Sequence, residues 1–208
     1  MIAKYLPLLA SSLRRKRLRT FFTVASIVIA FLLFGLAESM RYALQSGVDV
    51  AGADRLITMH KVSFTQLLPA SYENRIRAID GVIEVTPQTW FGAWYQDERN
   101  QIPTFPVKPE AFLRIYSDYL VPEDQRQAWV ADRSGIMIGR GLADITGWKV
   151  GEAVPLRSAI WRRTDGSDLW EVTVRAIYDL PQGGDTRQII MHQEYFEEGR
   201  GMARGLIG

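Results

Sequence analysis

The feature that most constrains this chain is an uninterrupted apolar run near its N-terminus. Residues 21–37 read FFTVASIVIAFLLFGLA, which is 17 residues without a charge. As a helix this run measures about 25 Å, the short end of the length that crosses a bilayer. Leu18 and Met40 extend the apolar surface at its two ends, and Arg19 can direct its charged group outward. The run therefore predicts one membrane-spanning helix.

Charge is distributed unevenly around this run. Only Glu38 and Arg41 follow it closely. Five basic residues precede it, namely Arg14, Arg15, Lys16, Arg17 and Arg19. Because basic flanks stay on the cytoplasmic side of a membrane, these five residues predict a cytoplasmic N-terminus, with the chain beyond residue 45 on the other side.

A cleaved signal peptide is the alternative interpretation, since Gly35 and Ala37 are small residues placed for cleavage before Glu38. Two patterns favour the uncleaved anchor. The apolar residues within 2–13 predict a short helix lying in the membrane interface. Beyond the run, ESMRYALQ contains good helix formers and no breaker, so the helix is predicted to continue to about Gln45.

Composition separates the first 20 residues from the rest of the chain. The 208 residues carry a formal net charge of +2, yet residues 1–20 contain six basic residues and no acid. The remaining 19 basic residues stand against 23 acidic ones, a net charge of −4. A nucleic-acid-binding domain spreads a basic face over its folded part, so nucleic acid is not a predicted partner. The absence of cysteine excludes a disulfide scaffold, a thiolate metal site and a cysteine nucleophile.

Beyond the membrane the pattern mixes short strands with short helices. The clearest alternation of apolar and polar residues covers 169–178, after a turn at 164–167 that contains Asp165-Gly166. We predict an α+β fold built on a mostly antiparallel sheet. Strands are predicted at 56–62, 82–95 (interrupted at Pro87 and Gly92), 102–107, 135–138, 152–157, 160–163, 169–178 and 188–192, and helices at 71–79 (capped by Ser71), 109–116, 122–130, 140–148 and 193–198.

Histidines and acidic pairs are the first candidates for catalysis. His60 and His192 lack the spacing of metal ligands, so we interpret both as ordinary polar residues of strands. The pairs Asp97-Glu98, Glu123-Asp124 and Glu197-Glu198 fall in predicted loops or at helix ends and are typical of solvated surface. An anchored hydrolase would need the fold to bring two of these acids together, and this alternative stays open. No catalytic, metal-binding or cofactor-binding residue is predicted.

Glycines and aromatic residues give two further candidates. Gly139-Arg140-Gly141 stands between a predicted strand and helix, where backbone amides can hold a phosphate. A tight connection that packs Leu142 and Ile145 onto the sheet is the simpler explanation, because the dinucleotide and P-loop patterns are incomplete. The aromatic residues at 90–95 would expose one pair on a regular strand, either Trp90 with Trp94 or Phe91 with Tyr95, and so form a contact surface.

Two stretches, in this order along the chain, resemble a known family. LRRKRLRT at 13–20 runs straight into the apolar helix, and residues 135–156 contain GIMIGRGLA, GWKVGE and VPL. This arrangement resembles the MacB/FtsX/LolC type of ABC transporter permease, with its periplasmic core domain. The positions that match the family pattern are Gly139, Leu142, Ala143, Gly147, Val150 and Gly151. Their glycines are of a structural kind, so the motif indicates a fold and no active site.

The resemblance implies a non-enzymatic permease subunit of the bacterial inner (plasma) membrane. Residues 1–20 would be a cytoplasmic or interfacial segment, 21–45 the membrane helix and stalk, and 46–208 the periplasmic core domain, with a candidate inserted subdomain at 70–130. The implied partners are a cytoplasmic ABC ATPase and a second permease, in a homo- or heterodimer, and no cofactor is implied. ATP-driven motion would reach the outer domain through the helix.

Members of the family carry three further membrane helices and rely on an ATPase. This sequence reaches Gly208 without a second apolar run of 18 residues, and it contains no Walker motif. We therefore expect it to be the N-terminal portion of such a permease. A single-pass, membrane-anchored binding or sensor module that works without an ATPase is the alternative function.

Overall fold

The computed structural model of this protein describes residues 16–49, 55–63, 66–180 and 184–208, with the backbone alone for 42–49. The chain divides into two compact units, Met1–Leu56 and Ile57–Gly208. The first unit contains α1 (Arg17–Asp49), a single helix of 33 residues. The predicted continuation to Gln45 is therefore confirmed. The helix predicted within 2–13 lies outside the described residues.

The second unit has the predicted α+β fold. Its helices are α2 (Ser71–Arg77), α3 (Pro109–Ile115), α4 (Glu123–Ala131), α5 (Arg140–Thr146) and α6 (Gln193–Gly199). Its strands are β1 (Leu68–Pro69), β2 (Ala93–Tyr95), β3 (Asp97–Ile102), β4 (Thr104–Val107), β5 (Gly135–Gly139), β6 (Ala153–Ser158), β7 (Leu169–Tyr178), β8 (Ile189–His192) and β9 (Leu206–Ile207).

Seven of these strands form one mixed sheet in the order β3-β2-β6-β7-β5-β8-β4, while β1 and β9 form a separate antiparallel pair. Most neighbours are antiparallel, as predicted, but β5 runs parallel to β7 and β4 runs parallel to β8. The parallel pairing aligns Gly139 with Tyr178, so the carboxyl ends of β5 and β7 meet at one edge of the sheet. The insertion predicted at 70–130 stays a prediction; its strands β2, β3 and β4 belong to this same sheet.

Both faces of the sheet are covered by apolar packing, and β7 contributes to both. Trp170, Val172 and Val174 pack in the cluster on one face. Ala176 and Tyr178 pack in the cluster on the other face. The side chains change face because the pairing of β7 with β5 contains a bulge. Val174 pairs with Ile136 and Ala176 with Met137, so Arg175 is an extra residue in β7. One alternating sequence therefore supplies residues to two separate cores.

Two predicted strands are absent from the described residues. Residues 56–62 form no strand, and Leu56, Ile57 and Val62 are largely exposed, because no neighbouring strand pairs with this segment. Residues 160–163 make a single bridge, between Arg163 and Arg200, in place of a strand. The reason is local: the Ser158 hydroxyl accepts hydrogen bonds from the amides of residues 160 and 161 and turns the backbone away from β6.

Several local details also differ from their predictions. The strand predicted from residue 82 begins at Ala93, since Pro87 has no amide to donate and Gly92 adopts a φ of +61°. The pair Asp97-Glu98, predicted in a loop, lies in β3. The cap of α2 is Ala70 rather than Ser71, and it makes no side-chain capping hydrogen bond.

Candidate functional site

The part of α1 from Arg17 to Arg41 is long and apolar enough to cross a membrane, by length and composition. Its large apolar side chains are exposed in the structure, for example Phe31, which is 74% exposed. The hydroxyls of Thr23 and Ser26 donate hydrogen bonds to carbonyl groups one turn earlier, at distances of 2.9 and 2.8 Å. These hydroxyls therefore have partners inside the helix, as the hydrocarbon core of a membrane requires.

Charged side chains flank this apolar segment. At the N-terminal end Lys16, Arg17 and Arg19 are exposed, while Arg14 and Arg15 lie outside the described residues. At the other end Glu38 and Arg41 form an ion pair across one turn of the helix. The orientation that these basic residues predict stays a prediction.

A single residue, Thr186, packs against the connection from β5 to α5 and accepts hydrogen bonds from it. A β-carbon added to Gly139 would lie 1.9 Å from the Thr186 carbonyl oxygen. The amide of Gly141 donates to the Thr186 hydroxyl at 2.8 Å, and the amide of Leu142 donates to the Thr186 carbonyl at 3.3 Å. These amides are occupied within the chain, so the phosphate-binding interpretation of this motif is wrong and the tight connection explains it.

Helix α5 packs against the sheet through the two apolar residues that follow this connection. Leu142 and Ala143 are buried. The expectation that Ile145 packs beside them is wrong, because its side chain is 70% exposed. Ile145 follows Ala143 by two residues, which turns it to the outer side of the short helix.

The chain leaves α5 through two glycines in the left-handed conformation. Gly147 has a φ of +77° and caps the helix, with its amide donating to the Ala143 carbonyl. Gly151 has a φ of +92°, and its amide donates to the Val174 carbonyl at 2.7 Å. Val150, between them, is half exposed. These residues direct the chain into β6 and present no reactive group.

The acidic residues considered for hydrolysis lie on the surface. Asp97 and Glu98 are exposed on β3, and Glu123 and Asp124 are exposed in the first turn of α4. Throughout the residues that the structure describes, no three His, Cys, Asp or Glu side chains gather closely enough to hold a metal ion. Within the described part of the chain, these four carboxylates therefore form no enclosed site.

The two histidines have different surroundings. His60 is partly buried, and its Nδ1 accepts a hydrogen bond from the Val62 amide at 3.2 Å. His192 ends β8 and is 4% exposed, with its Nε2 2.8 Å from the Trp129 carbonyl oxygen, to which it donates. Burial lowers the pKa of His192, because the charged imidazolium loses more hydration than the neutral ring.

The aromatic residues at 90–95 do not form the exposed pair expected of a regular strand. Phe91 is fully buried, and Trp94 and Tyr95 are half-buried. Trp90 is 41% exposed and packs edge-on against Phe105, with ring centroids 5.5 Å apart. The predicted contact surface of two exposed aromatic residues is therefore absent from this segment, and Trp90 is its most exposed aromatic residue.

The sequence prediction did not select Arg200, which is completely buried beside α6. Its guanidinium lies over the rings of Trp161 and Phe196, 5.3 and 4.7 Å from their centroids, and forms an ion pair with Glu197. It also donates to the Leu206 carbonyl at 2.9 Å, which attaches β9 to the end of α6. The signal in the sequence was the spacing of Glu197 and Arg200, three residues apart at a helix end.

A groove of about 440 Å³ lies beyond the carboxyl ends of β5 and β7. Its polar lining includes Arg126 from α4, Arg140 from α5 and Asp179, which directly follows β7. The Nε of Arg140 lies 3.3 Å from a carboxylate oxygen of Asp179. The Nε of Arg126 lies 3.7 Å from the Glu123 carboxylate, too far for a hydrogen bond. Sequence reasoning missed this groove, whose residues come from three separate parts of the chain.

No protein-family model matches this chain, and no curated protein sequence matches it. Among solved structures, it is similar to a domain of a protein described as a permease from Porphyromonas gingivalis, with 18% identity, a TM-score of 0.44 and coverage of 71% of this chain and 69% of that one. It is also similar to the extracellular domain of the noncanonic ABC-type transporter YknZ from Gram-positive bacteria, with 13% identity, a TM-score of 0.42 and coverage of 65% and 70%. At these values neither similarity assigns a function to this chain.

Proposed function

We propose that this chain is the N-terminal portion of a permease subunit of an ABC transporter in the bacterial inner membrane. The observation that carries the proposal is the continuity of α1, which is helical from Arg17 to Asp49. Its 33 residues measure about 50 Å, whereas the hydrocarbon core of a bilayer is about 30 Å thick. A helix that leaves the membrane without a break can transmit a displacement, which a flexible tether cannot do.

The motif at 135–156 supports the same proposal. Each glycine of the resemblance has a structural reason in the fold: Gly139 approaches Thr186, and Gly147 and Gly151 adopt positive φ. The partners that follow are a cytoplasmic ABC ATPase and a second permease. The domain beyond α1 contacts the substrate or a protein partner on the periplasmic side. We propose no catalytic role and no cofactor for this chain.

An insertion into α1 tests the transmission of motion. Seven helix-forming residues, Ala-Glu-Ala-Ala-Lys-Ala-Ala, inserted after Arg41 keep the helix continuous and nearly preserve its rotation. Seven glycine and serine residues at the same place break it. With the cognate ATPase and the remaining permease helices present, we expect ATP-dependent transport to survive the first insertion and to fall at least tenfold with the second.

The ATPase rate and the amount of chain in the membrane are the controls for both insertions. Transport at the unmodified rate through the glycine–serine insertion would contradict transmission through the helix. Loss of transport with equal severity in both variants, at normal membrane levels, would contradict it as well, because the helical insertion keeps the connection rigid.

A second candidate is a membrane-anchored binding module that works without an ATPase, and the groove at Arg126 and Arg140 favours it. The two functions differ in their dependence on nucleotide. A single cysteine can be placed in the extracytoplasmic domain, since the chain has none. A fluorescent probe at that cysteine should respond to ATP in a permease, and only to ligand in a binding module.

A further inference from the structure

We propose that the groove at the carboxyl ends of β5 and β7 binds the carboxylate of a small organic acid with an apolar body. The inference concerns the groove alone and is independent of any coupling to an ATPase. Arg126 and Arg140 hold the carboxylate, and the apolar residues Leu120, Val121 and Ile177 contact the rest of the ligand.

The position of the groove follows from the parallel pairing of β5 and β7. In sheets with parallel strands the carboxyl ends open a crevice, since the chain leaves neighbouring strands in different directions. Here β5 continues into Arg140, while β7 continues into Asp179. The backbone of Asp179 pairs with that of Leu120 through two hydrogen bonds of 2.9 and 3.0 Å. This bridge fixes the wall of the groove and makes it part of the fold.

Positive charge inside the groove exceeds negative charge. The lining contains two guanidinium groups and one carboxylate, that of Asp179, which pairs with Arg140. The Nε of Arg126 is enclosed and has no hydrogen-bond partner among the residues described. The Glu123 carboxylate, 3.7 Å from this Nε, is 68% exposed, and the Arg126 side chain as a whole is 39% exposed. An enclosed N–H without an acceptor costs free energy, and an anion in the groove would supply the missing acceptor.

The remaining lining selects the kind of anion. Leu120, Val121 and Ile177 add apolar surface beside the arginines. The volume of about 440 Å³ falls within the range of pockets that hold small molecules. Guanidinium forks match planar carboxylates well, and the apolar surface gains free energy from a hydrocarbon group but not from water or bare phosphate. A short branched acid uses both parts of the groove.

The test uses the full chain in lipid nanodiscs, with 4-methylpentanoate as the probe and saturation-transfer NMR titrations as the measurement. Empty nanodiscs of the same lipid correct for partition into the membrane. We expect saturable binding of the acid and at least tenfold weaker binding of the neutral 4-methylpentanamide. Arg126→Gln and Arg140→Gln should each weaken binding of the acid about tenfold, the size expected for one charge-assisted hydrogen bond.

Arg99→Gln is the matched control, because it removes an exposed positive charge on β3 and should leave binding unchanged. Arg126→Lys keeps the charge without the fork and covers the case in which the glutamine variant fails to fold, as judged by thermal unfolding. Equal affinity for acid and amide, or unchanged binding in folded Arg126 variants, would overturn the proposal. Inorganic phosphate binding as tightly as 4-methylpentanoate would overturn the assignment of an apolar body.

Discussion

The α-carbon of Gly139 and the backbone of Thr186 approach each other so closely that a side chain at Gly139 has no room. The ideal β-carbon position lies 1.9 Å from the Thr186 carbonyl oxygen and 2.6 Å from its carbon. This contact joins the end of β5 to the segment that leads into β8, although 47 positions along the sequence separate the two residues. Thr186 also accepts hydrogen bonds from the amides of Gly141 and Leu142.

Gly139→Ala should destabilise the domain by about 2–3 kcal/mol, because a backbone atom cannot move aside as the end of a flexible side chain can. Urea unfolding followed by tryptophan fluorescence measures the effect. The same substitution at Gly35, where nothing lies within 4 Å of the new carbon, is the control and should leave domain unfolding unchanged. An unaltered midpoint for Gly139→Ala would show that this connection is not tight.

Glu197→Gln should destabilise the protein by about 3 kcal/mol or more, because it leaves the buried guanidinium of Arg200 without its counter-charge. The comparison is Asp185→Asn, which breaks an ion pair whose two side chains are both well exposed, and about 0.5 kcal/mol or less is expected there. Differential scanning calorimetry distinguishes the two. Equal effects of both substitutions would contradict the importance of burial at Arg200.

The folded domain should lose stability between about pH 7 and pH 5 because of His192. Its pKa is lowered by burial, so the unfolded chain takes up the proton first as the pH falls. Stability is therefore complete above the unfolded pKa and declines as the pH passes below it. His192→Gln keeps a donor for the Trp129 carbonyl without a titrating group.

Urea unfolding at a series of pH values measures this effect. The difference in stability between pH 7 and pH 5 should shrink in the glutamine variant. A difference of the same size in both proteins would assign the pH dependence to other groups.

The Asp132 carboxylate should make folding stability depend on pH as well, in a more acidic range than His192. Burial alone would raise the pKa of its carboxyl, but hydrogen bonds from Arg175 and Ser134 outweigh burial and lower it. The stabilisation is present above the unfolded pKa and disappears as the pH falls through the lower, folded value. Asp132→Asn should therefore cost about 1–2 kcal/mol at pH 7 and progressively less below about pH 4. A penalty that is independent of pH would contradict a role for the charge.

Neutralising the basic residues before α1 should disturb its orientation. Replacement of all five by asparagine removes the charge that holds the N-terminus in the cytoplasm; these are Arg14, Arg15, Lys16, Arg17 and Arg19. A single cysteine placed at Ser167, labelled in intact cells by a membrane-impermeant maleimide, should become partly protected. Removing five exposed basic residues from the domain instead should leave labelling complete. Full labelling in both variants would contradict orientation by these charges.

The elements that the sequence predicted well have local signals. The apolar run and its polar continuation predicted α1, which extends to Asp49. The alternation over 169–178 predicted β7 with the observed bounds, and Gly147 ends α5 as expected. A strand also needs a partner, which a local pattern does not reveal. The apolar residues of 56–62 predicted a strand, and that prediction is wrong because no neighbouring strand pairs with this segment.

The groove was missed for a related reason. Arg126 and Arg140 belong to different helices, and the parallel pairing of β5 with β7 brings Asp179 into the same groove. Arg126 lies in no motif, and Arg140 lies in Gly139-Arg140-Gly141, a pattern that indicates a backbone connection and not a side-chain site. Of the acidic pairs, Asp97-Glu98 and Glu123-Asp124 remain on the surface of the domain, whereas Glu197 is partly buried against Arg200.

The sequence by itself determined where the chain can cross a membrane, which end carries the basic charge, and which glycines end helices or form turns. Those properties depend on a residue and its near neighbours. Tertiary structure alone decided that the extra residue Arg175 turns Ala176 and Tyr178 to the other face of the sheet, and that Arg200 is buried. The physical reason is that burial and pairing are properties of contacts between distant segments, which form only when the whole sheet is assembled.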